Sequence, residues 1–138
     1  MTRRGGSRPS RAARIGGVVL DAGAFIALER RDGTMVELAR RFAETETPLV
    51  TSAGVVAQVW RGGGLAQVPV VFLLRRTTVL DLTHGVARVL GRMLAATGTS
   101  DPIDAHVVLL ARERGWPVIT SDPDELRDLD PTLRIETI

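Results

Sequence analysis

The sequence predicts an α/β domain with a parallel sheet and helices on both faces. Short apolar runs alternate with stretches whose apolar residues recur every three or four positions, the patterns of strand and amphipathic helix in turn. Aspartates stand where those runs end or where the next helix begins. Asp21 follows the run 16–20, Asp104 lies within 99–105, and Asp122 and Asp124 follow 118–121. In such a sheet the carboxyl ends of the strands share one edge, and ligands bind there. Acids far apart in sequence are therefore expected in one pocket. There they repel one another unless a hard divalent cation such as Mg²⁺ or Mn²⁺ joins them. The residues alone point to a metal-dependent hydrolase.

Each element has a local reason. Strand one is expected over 17–21, ending on Asp21. Helix one follows with Ala24, Phe25, Ile26, Ala27 and Leu28 and runs to about Arg31, before a break at Gly33. Helix two is expected over 34–44, with Met35, Leu38, Ala39 and Phe42 on one face. Pro48 stops it before strand two, 49–51. The Ser52 hydroxyl can cap helix three, 53–61. Gly62, Gly63 and Gly64 end that helix and open a hinge. A short helix over 65–75 is interrupted by Pro69, which lacks an amide donor. Strand three is expected over 77–82, and a helix over 84–97 that Gly98 ends. Ser100 or Asp101 caps the next helix, which has Pro102 at its first position and runs to about Arg114. Strand four spans 117–120 and strand five about 133–136. There is no internal repeat and no second domain.

Composition bounds the chemistry. The chain has 138 residues, 44% of them hydrophobic, enough for one domain with a real core. No apolar run approaches the ~20 residues of a membrane span. Without cysteine, disulfides and thiolate metal sites are excluded, and His84 and His106 form no zinc pattern. All 18 basic residues are arginine. Five of them lie in 1–14, which leaves 13 against 16 acids in the rest. The body is thus slightly negative although the whole chain is +2. Residues 1–14 are expected to form a disordered Arg-rich tail ahead of a domain over 15–138. The tail is read as a solvated extension, a start placed too early, or a flexible arm that attracts RNA phosphates. It lacks the apolar core of a secretion signal, so a cytoplasmic protein is expected.

The candidate residues carry competing roles. Asp21 is read as a metal ligand over a simple helix cap, with Gly23 letting the backbone approach closely. Asp101 and Asp104, three apart, share a helix face and could look into one pocket. Asp101 serves equally as a cap. Asp122 and Asp124 are either ligands or an Asp-Pro turn. Thr120 and Ser121 could hold a water or satisfy the strand end. His106, Trp60 and Trp116 are read as packing residues. A phosphotransfer receiver would want a lysine, and the chain has none. An aspartyl-nucleophile phosphohydrolase would want an acid where Gly23 stands.

Three strings, in order, carry a resemblance. They are Val18-Val19-Leu20-Asp21-Ala22-Gly23-Ala24-Phe25-Ile26-Ala27-Leu28, Asp101-Pro102-Ile103-Asp104-Ala105, and Val118-Ile119-Thr120-Ser121-Asp122-Pro123-Asp124-Glu125-Leu126. Over about 16–137 the chain resembles PIN-domain ribonucleases, above all the VapC-type toxins of bacterial toxin–antitoxin pairs. The resemblance implies a three-layer α/β/α sandwich with a central parallel sheet. It implies a Mg²⁺ or Mn²⁺ site of three or four acids: Asp21, Asp104 and Asp122, assisted by Asp124 or Asp101. It also implies hydrolysis of single-stranded RNA to 5′-phosphate and 3′-hydroxyl ends, and a homodimer held by a cognate antitoxin. Arg61, closing helix three, could hold an RNA phosphate or cap that helix.

One position departs from the family pattern. Gln58 stands where an acid is expected on the helix after strand two. Three outcomes are open: Gln58 supports an active site without charge, another acid substitutes, or the site is weak or dead. Glu29 is the nearest substitute in sequence, but it lies about 12 Å beyond Asp21 along a helix. An ion pair with an arginine is its plainer role.

Overall fold

A computed structural model describes residues 16–138; the tail expected over 1–14 lies outside them. The elements are β1 (Val18–Leu20), α1 (Ala22–Glu29), α2 (Gly33–Thr45), β2 (Leu49–Ser52), α3 (Ala53–Val59), a 3₁₀ turn (Leu65–Gln67) and α4 (Val68–Arg75). There follow β3 (Thr77–Leu80), α5 (His84–Thr97), α6 (Pro102–Arg114), β4 (Val118–Thr120), α7 (Pro123–Leu129) and β5 (Ile135–Thr137). The five strands form one sheet in the order β3-β2-β1-β4-β5, every pairing parallel. The central strands β1 and β4 are buried throughout, while the edge strands β3 and β5 are partly exposed. That gradient follows from helices covering the middle of a parallel sheet. One layer is built on α1, which packs on α2, α3 and α4; the other on α6, which packs on α5, α7, β1 and β2.

The order of the strands matters for function. The chain runs outward from β1 through β2 to β3, then returns to build β4 and β5 on the other side. The direction reverses between β1 and β4, and the crevice beyond their carboxyl ends is where ligands bind in open α/β sheets. Asp21 leaves β1 at that point, and Asp122 follows β4.

The expected three-layer architecture with a central parallel sheet is what the chain adopts. The local departures have physical reasons. Helix three stops at Val59, short of Arg61, and the glycines lie beyond its end. Pro69 does not interrupt its helix, because it falls in the first turn of α4, where amides have no intrahelical partner. Strand five starts later, at Ile135. The helix α7 is one the sequence pattern did not predict; an Asp-Pro turn was only the alternative to ligand roles for Asp122 and Asp124. It shows only two buried apolar residues, Leu126 and Leu129, in an acidic segment. Pro123 in its first turn, with Asp124 and Glu125 beside it, suits a helix start, where the dipole favours anions.

The glycine-rich connection after α3 is organised by Gln67. Its side chain is buried, and Oε1 accepts from the amides of Arg61 (2.8 Å) and Gly63 (3.3 Å). Nε2 donates to the Val59 carbonyl (2.8 Å) and to Glu29 Oε2 (3.0 Å). Glu29 thus bonds Gln67 at the end of α1 opposite Asp21. It is no substitute acid, and its partner is an amide where an arginine was expected.

Candidate metal centre

The site is built upward from Asp21, which is 7% exposed. The Ala22 amide donates to Oδ1 (2.8 Å), and the Thr120 hydroxyl donates to Oδ2 (2.8 Å). Thr120 is fully buried and also accepts from the Asp122 amide (3.0 Å). One hydroxyl therefore ties the end of β1 to the turn after β4 and sets the spacing of two acids. Of the two roles open to Thr120, satisfying the strand end is the one these bonds fill. Close approach is possible because residue 23 is glycine. A β carbon there would lie 2.3 Å from Ser121 Oγ and 2.9 Å from its amide nitrogen. The Gly23→Ala variant is expected to push 121–122 away from Asp21 and to cost about 1–3 kcal/mol by overpacking. Chemical denaturation checks this, and a variant as stable as the parent would contradict the close approach.

Asp104 reaches the same place from the first turn of α6. Asp101 caps that helix, its Oδ1 accepting from the amides of Ile103 (2.9 Å) and Asp104 (3.1 Å). Asp101 nevertheless belongs to the cluster electrostatically, for its charge raises the pKa of both Asp21 and Asp104. Burial, with Asp101, Asp21, Glu125 and Asp122 adding to it, pushes the Asp104 carboxyl up to about 7. The positive end of α6 acts the other way, but desolvation and crowding win. Burial likewise raises Asp21, against the bonds from Thr120 and Ala22 that favour its charged form, with Asp101 and Asp122 pushing the same way as burial.

Glu125 is the acid that the sequence reading missed. Asp122 beside it raises its pKa. With Asp101 and Asp104 it lines a cleft of about 180 Å³ that Thr99, Ser100, Asp128 and Leu129 complete. The signal was present: Asp122 and Glu125 are three apart, the spacing of a capping box. Asp124, by contrast, is exposed in the first turn of α7 and is not among the charges pressing on Asp21 or Asp104. The geometry gives no support to its assignment as an assisting ligand.

Gln58 is half-buried on α3. It lies four residues beyond Gly54, on the same helix face, and a β carbon at Gly54 would meet the Ile103 side chain at 2.8 Å. That face of α3 is therefore turned toward the first turn of α6, beside Asp104. Arg61 lies elsewhere. It is exposed in the glycine loop anchored at the far end of α1, and its Nη1 donates to the Trp60 carbonyl (2.9 Å). Trp60 is 43% exposed, contrary to the packing role expected, whereas Trp116 packs on the core. His106 is a buried core residue; its Nδ1 lies 2.6 Å from the Ser52 hydroxyl, which also caps α3.

The donor set suits a hard cation. It is all carboxylate oxygen, and the pKa values of Asp21 and Asp104 are raised first by burial and then by the neighbouring acids. Among the described residues no three such side chains already converge on one point. Asp21 is held on both oxygens, whereas Asp122 and Glu125 are exposed and free to turn toward it.

A parallel α/β sandwich with carboxylates gathered at its topological switch point defines a recognisable class of protein. The PIN domain profile matches residues 18–130, and the chain belongs to the PIN-domain family, whose members are generally nucleases. Two solved structures share the fold. PAE2754 from Pyrobaculum aerophilum is 18% identical, with a TM-score of 0.62 over 91% of this chain and 86% of that one. FitAB, solved bound to an IR36 DNA fragment, is 15% identical, with a TM-score of 0.58 over 87% of this chain and 94% of that one. No curated protein matched the sequence significantly. No helix among the described residues is long and apolar enough to cross a membrane.

Proposed function

We propose that this protein is a Mg²⁺- or Mn²⁺-dependent endoribonuclease that hydrolyses single-stranded RNA. The observation that carries this reading is the placing of Asp101, Asp104 and Glu125 on one cleft, with Asp21 and Asp122, tied together by Thr120, near enough for their charge to act on Asp104. Bound cation would be held by Asp21, Asp104 and Asp122, and it supplies a Lewis acid that offsets charge building on the phosphate and acidifies the attacking water. The chain's own part is to hold the acids. Thr120 and the Ala22 amide fix the Asp21 carboxylate, the Thr120 bond to the Asp122 amide fixes its backbone, and α6 presents Asp104. Metal-free, the same carboxylates would repel a phosphodiester.

The role as toxin of a type II toxin–antitoxin pair rests on the three ordered strings. It brings with it a cognate antitoxin, a homodimer, a cytoplasmic location and an Arg-rich arm ahead of a domain over 15–138. Purified protein with Mn²⁺ is expected to cut single-stranded RNA, leaving 5′-phosphates, and EDTA is expected to stop it. Cleavage that persists in EDTA would end the proposal.

A second reading is a PIN fold that binds RNA or an antitoxin without cutting. Its support is that Gln58, standing where the family pattern has an acid, is neutral, and that among the described residues no three carboxylates converge. The Gln58→Glu variant separates the two. A large gain in cleavage marks an attenuated enzyme, and silence in both proteins favours binding alone.

A further inference from the structure

We infer that His106 and Ser52 form a buried pin that sets where Asp104 stands relative to Asp21, which makes His106 a positioning residue. The inference rests on the metal-site reading above and adds to it two residues that act only through Asp104. His106 is 1% exposed, and its Nδ1 lies 2.6 Å from Oγ of Ser52, which is fully buried and 54 positions away. The same hydroxyl accepts from the Gly54 amide (3.0 Å), so its proton is free to go to Nδ1. A second contact lies one turn earlier on α6, where a β carbon at Gly54 would meet the Ile103 side chain at 2.8 Å. Ile103 and His106 are three apart and share a face of α6.

The pin acts on an acid because of where that face lies. Asp104 stands between Ile103 and His106, so holding their face against β2 and α3 fixes the rotation and height of the turn that carries it. A slip of α6 by one residue would move Asp104 by about 1.5 Å along the axis and turn it by about 100°. A metal site tolerates deviations of only about 0.2 Å in its ligand distances. Thr51, beside Ser52, is also fully buried and donates to the Leu20 carbonyl (2.6 Å), next to Asp21. The last two residues of β2 thus hold the segments that carry Asp21 and Asp104, with one hydroxyl for each. Packing alone needs only an apolar side chain at 106, whereas the bond to Ser52 needs an acceptor.

Calorimetric titration of full-length His106→Asn and His106→Leu with Mn²⁺ tests this. Asparagine carries an acceptor as many bonds from the backbone as Nδ1, but it is smaller and leaves a cavity. Leucine refills more of the space and accepts nothing. His106→Asn is therefore expected to be the less stable of the two in denaturant unfolding and yet to bind Mn²⁺ nearly as the parent does. His106→Leu is expected to bind about tenfold or more weakly. If affinity follows stability instead, or if both variants bind like the parent, His106 only packs, and the proposed function stands. Should either variant fail to fold, Ser52→Thr, which keeps the hydroxyl, and Ser52→Ala carry the same comparison. Threonine is expected to bind like the parent and alanine about tenfold more weakly; equal binding by the two overturns the pin. Asp104→Asn is expected to lose binding. If it binds Mn²⁺ like the parent, the metal-site reading itself fails, and the pin with it.

Discussion

Asp104→Asn is expected to abolish cleavage and, at the same time, to stabilise the metal-free protein above neutral pH. The loss of activity follows from removing a carboxylate that would hold the cation. If about 4 kcal/mol of transition-state stabilisation is lost, the rate falls about 10³-fold. The gain in stability follows from the pKa. Folded Asp104 titrates at about 7 against an ordinary 3.8, raised chiefly by burial. The folded state therefore holds a proton that the unfolded chain releases. The resulting stabilisation is complete below about pH 4 and is lost as pH rises through about 7.

The asparagine variant has no such charge to lose. Above pH 7 it is expected to exceed the parent by on the order of 1–2 kcal/mol, a figure reduced because the group is half exposed to solvent. His106 works in the other direction, since burial lowers its pKa and its contribution is lost as pH falls. The difference between parent and variant isolates Asp104 from it. Thermal unfolding in EDTA from about pH 5 to about pH 8 reads that difference. A gap that does not widen with pH would remove the raised pKa of Asp104 from the account. Adding Mn²⁺ should stabilise the parent selectively, by linkage of binding to the folded state.

Thr120→Val carries the second large effect. Valine matches threonine in shape but cannot donate to Asp21 Oδ2 or accept from the Asp122 amide, so two polar groups of the strap lose their partner. A cost of about 1–3 kcal/mol is expected in denaturant unfolding. Mn²⁺ affinity and cleavage should fall by about 10–100-fold, the usual loss when a group orienting a ligand is removed. The Asp21 pKa should rise further, because the Thr120 bond is one of the contributions lowering it. Thr120→Ser keeps the hydroxyl and should recover most of the affinity. If serine and valine bind Mn²⁺ equally weakly, packing rather than the hydroxyl governs the site.

Several features were legible in the sequence because they are local. Apolar β1 and β4 are bounded by acids, and Ser52 and Asp101 cap their helices as expected. Asp21 and Asp122 could be placed near each other because strand ends of a parallel sheet share an edge, and Asp104 could be placed on the first turn of its helix. The ranking of the remaining acids could not be read in the same way. Asp124 and Glu125 are adjacent in sequence, and a helix turns successive residues about 100° apart. Only once α7 is recognised as a helix do the two separate, Glu125 lining the cleft with Asp101 and Asp104 and Asp124 lying outside it. The α7 segment hid because two leucines among acids make a weak periodic signal, and its stability comes from burying Leu126 and Leu129 on the core.

Composition, periodicity and the aspartates at strand ends were enough to specify a parallel α/β domain with an acidic ligand edge. Those properties depend on each segment's own pattern. The strap through Thr120, the sharing of one cleft by Glu125 and Asp104, and the lodging of Glu29 on Gln67 needed the tertiary structure. Each joins residues through distances that depend on how whole elements pack: Thr120 meets Asp21 across 99 positions, and Gln67 meets Glu29 across 38. The raised pKa of Asp104 is of the same kind, because burial and the field of acids from other elements exist only in the folded chain.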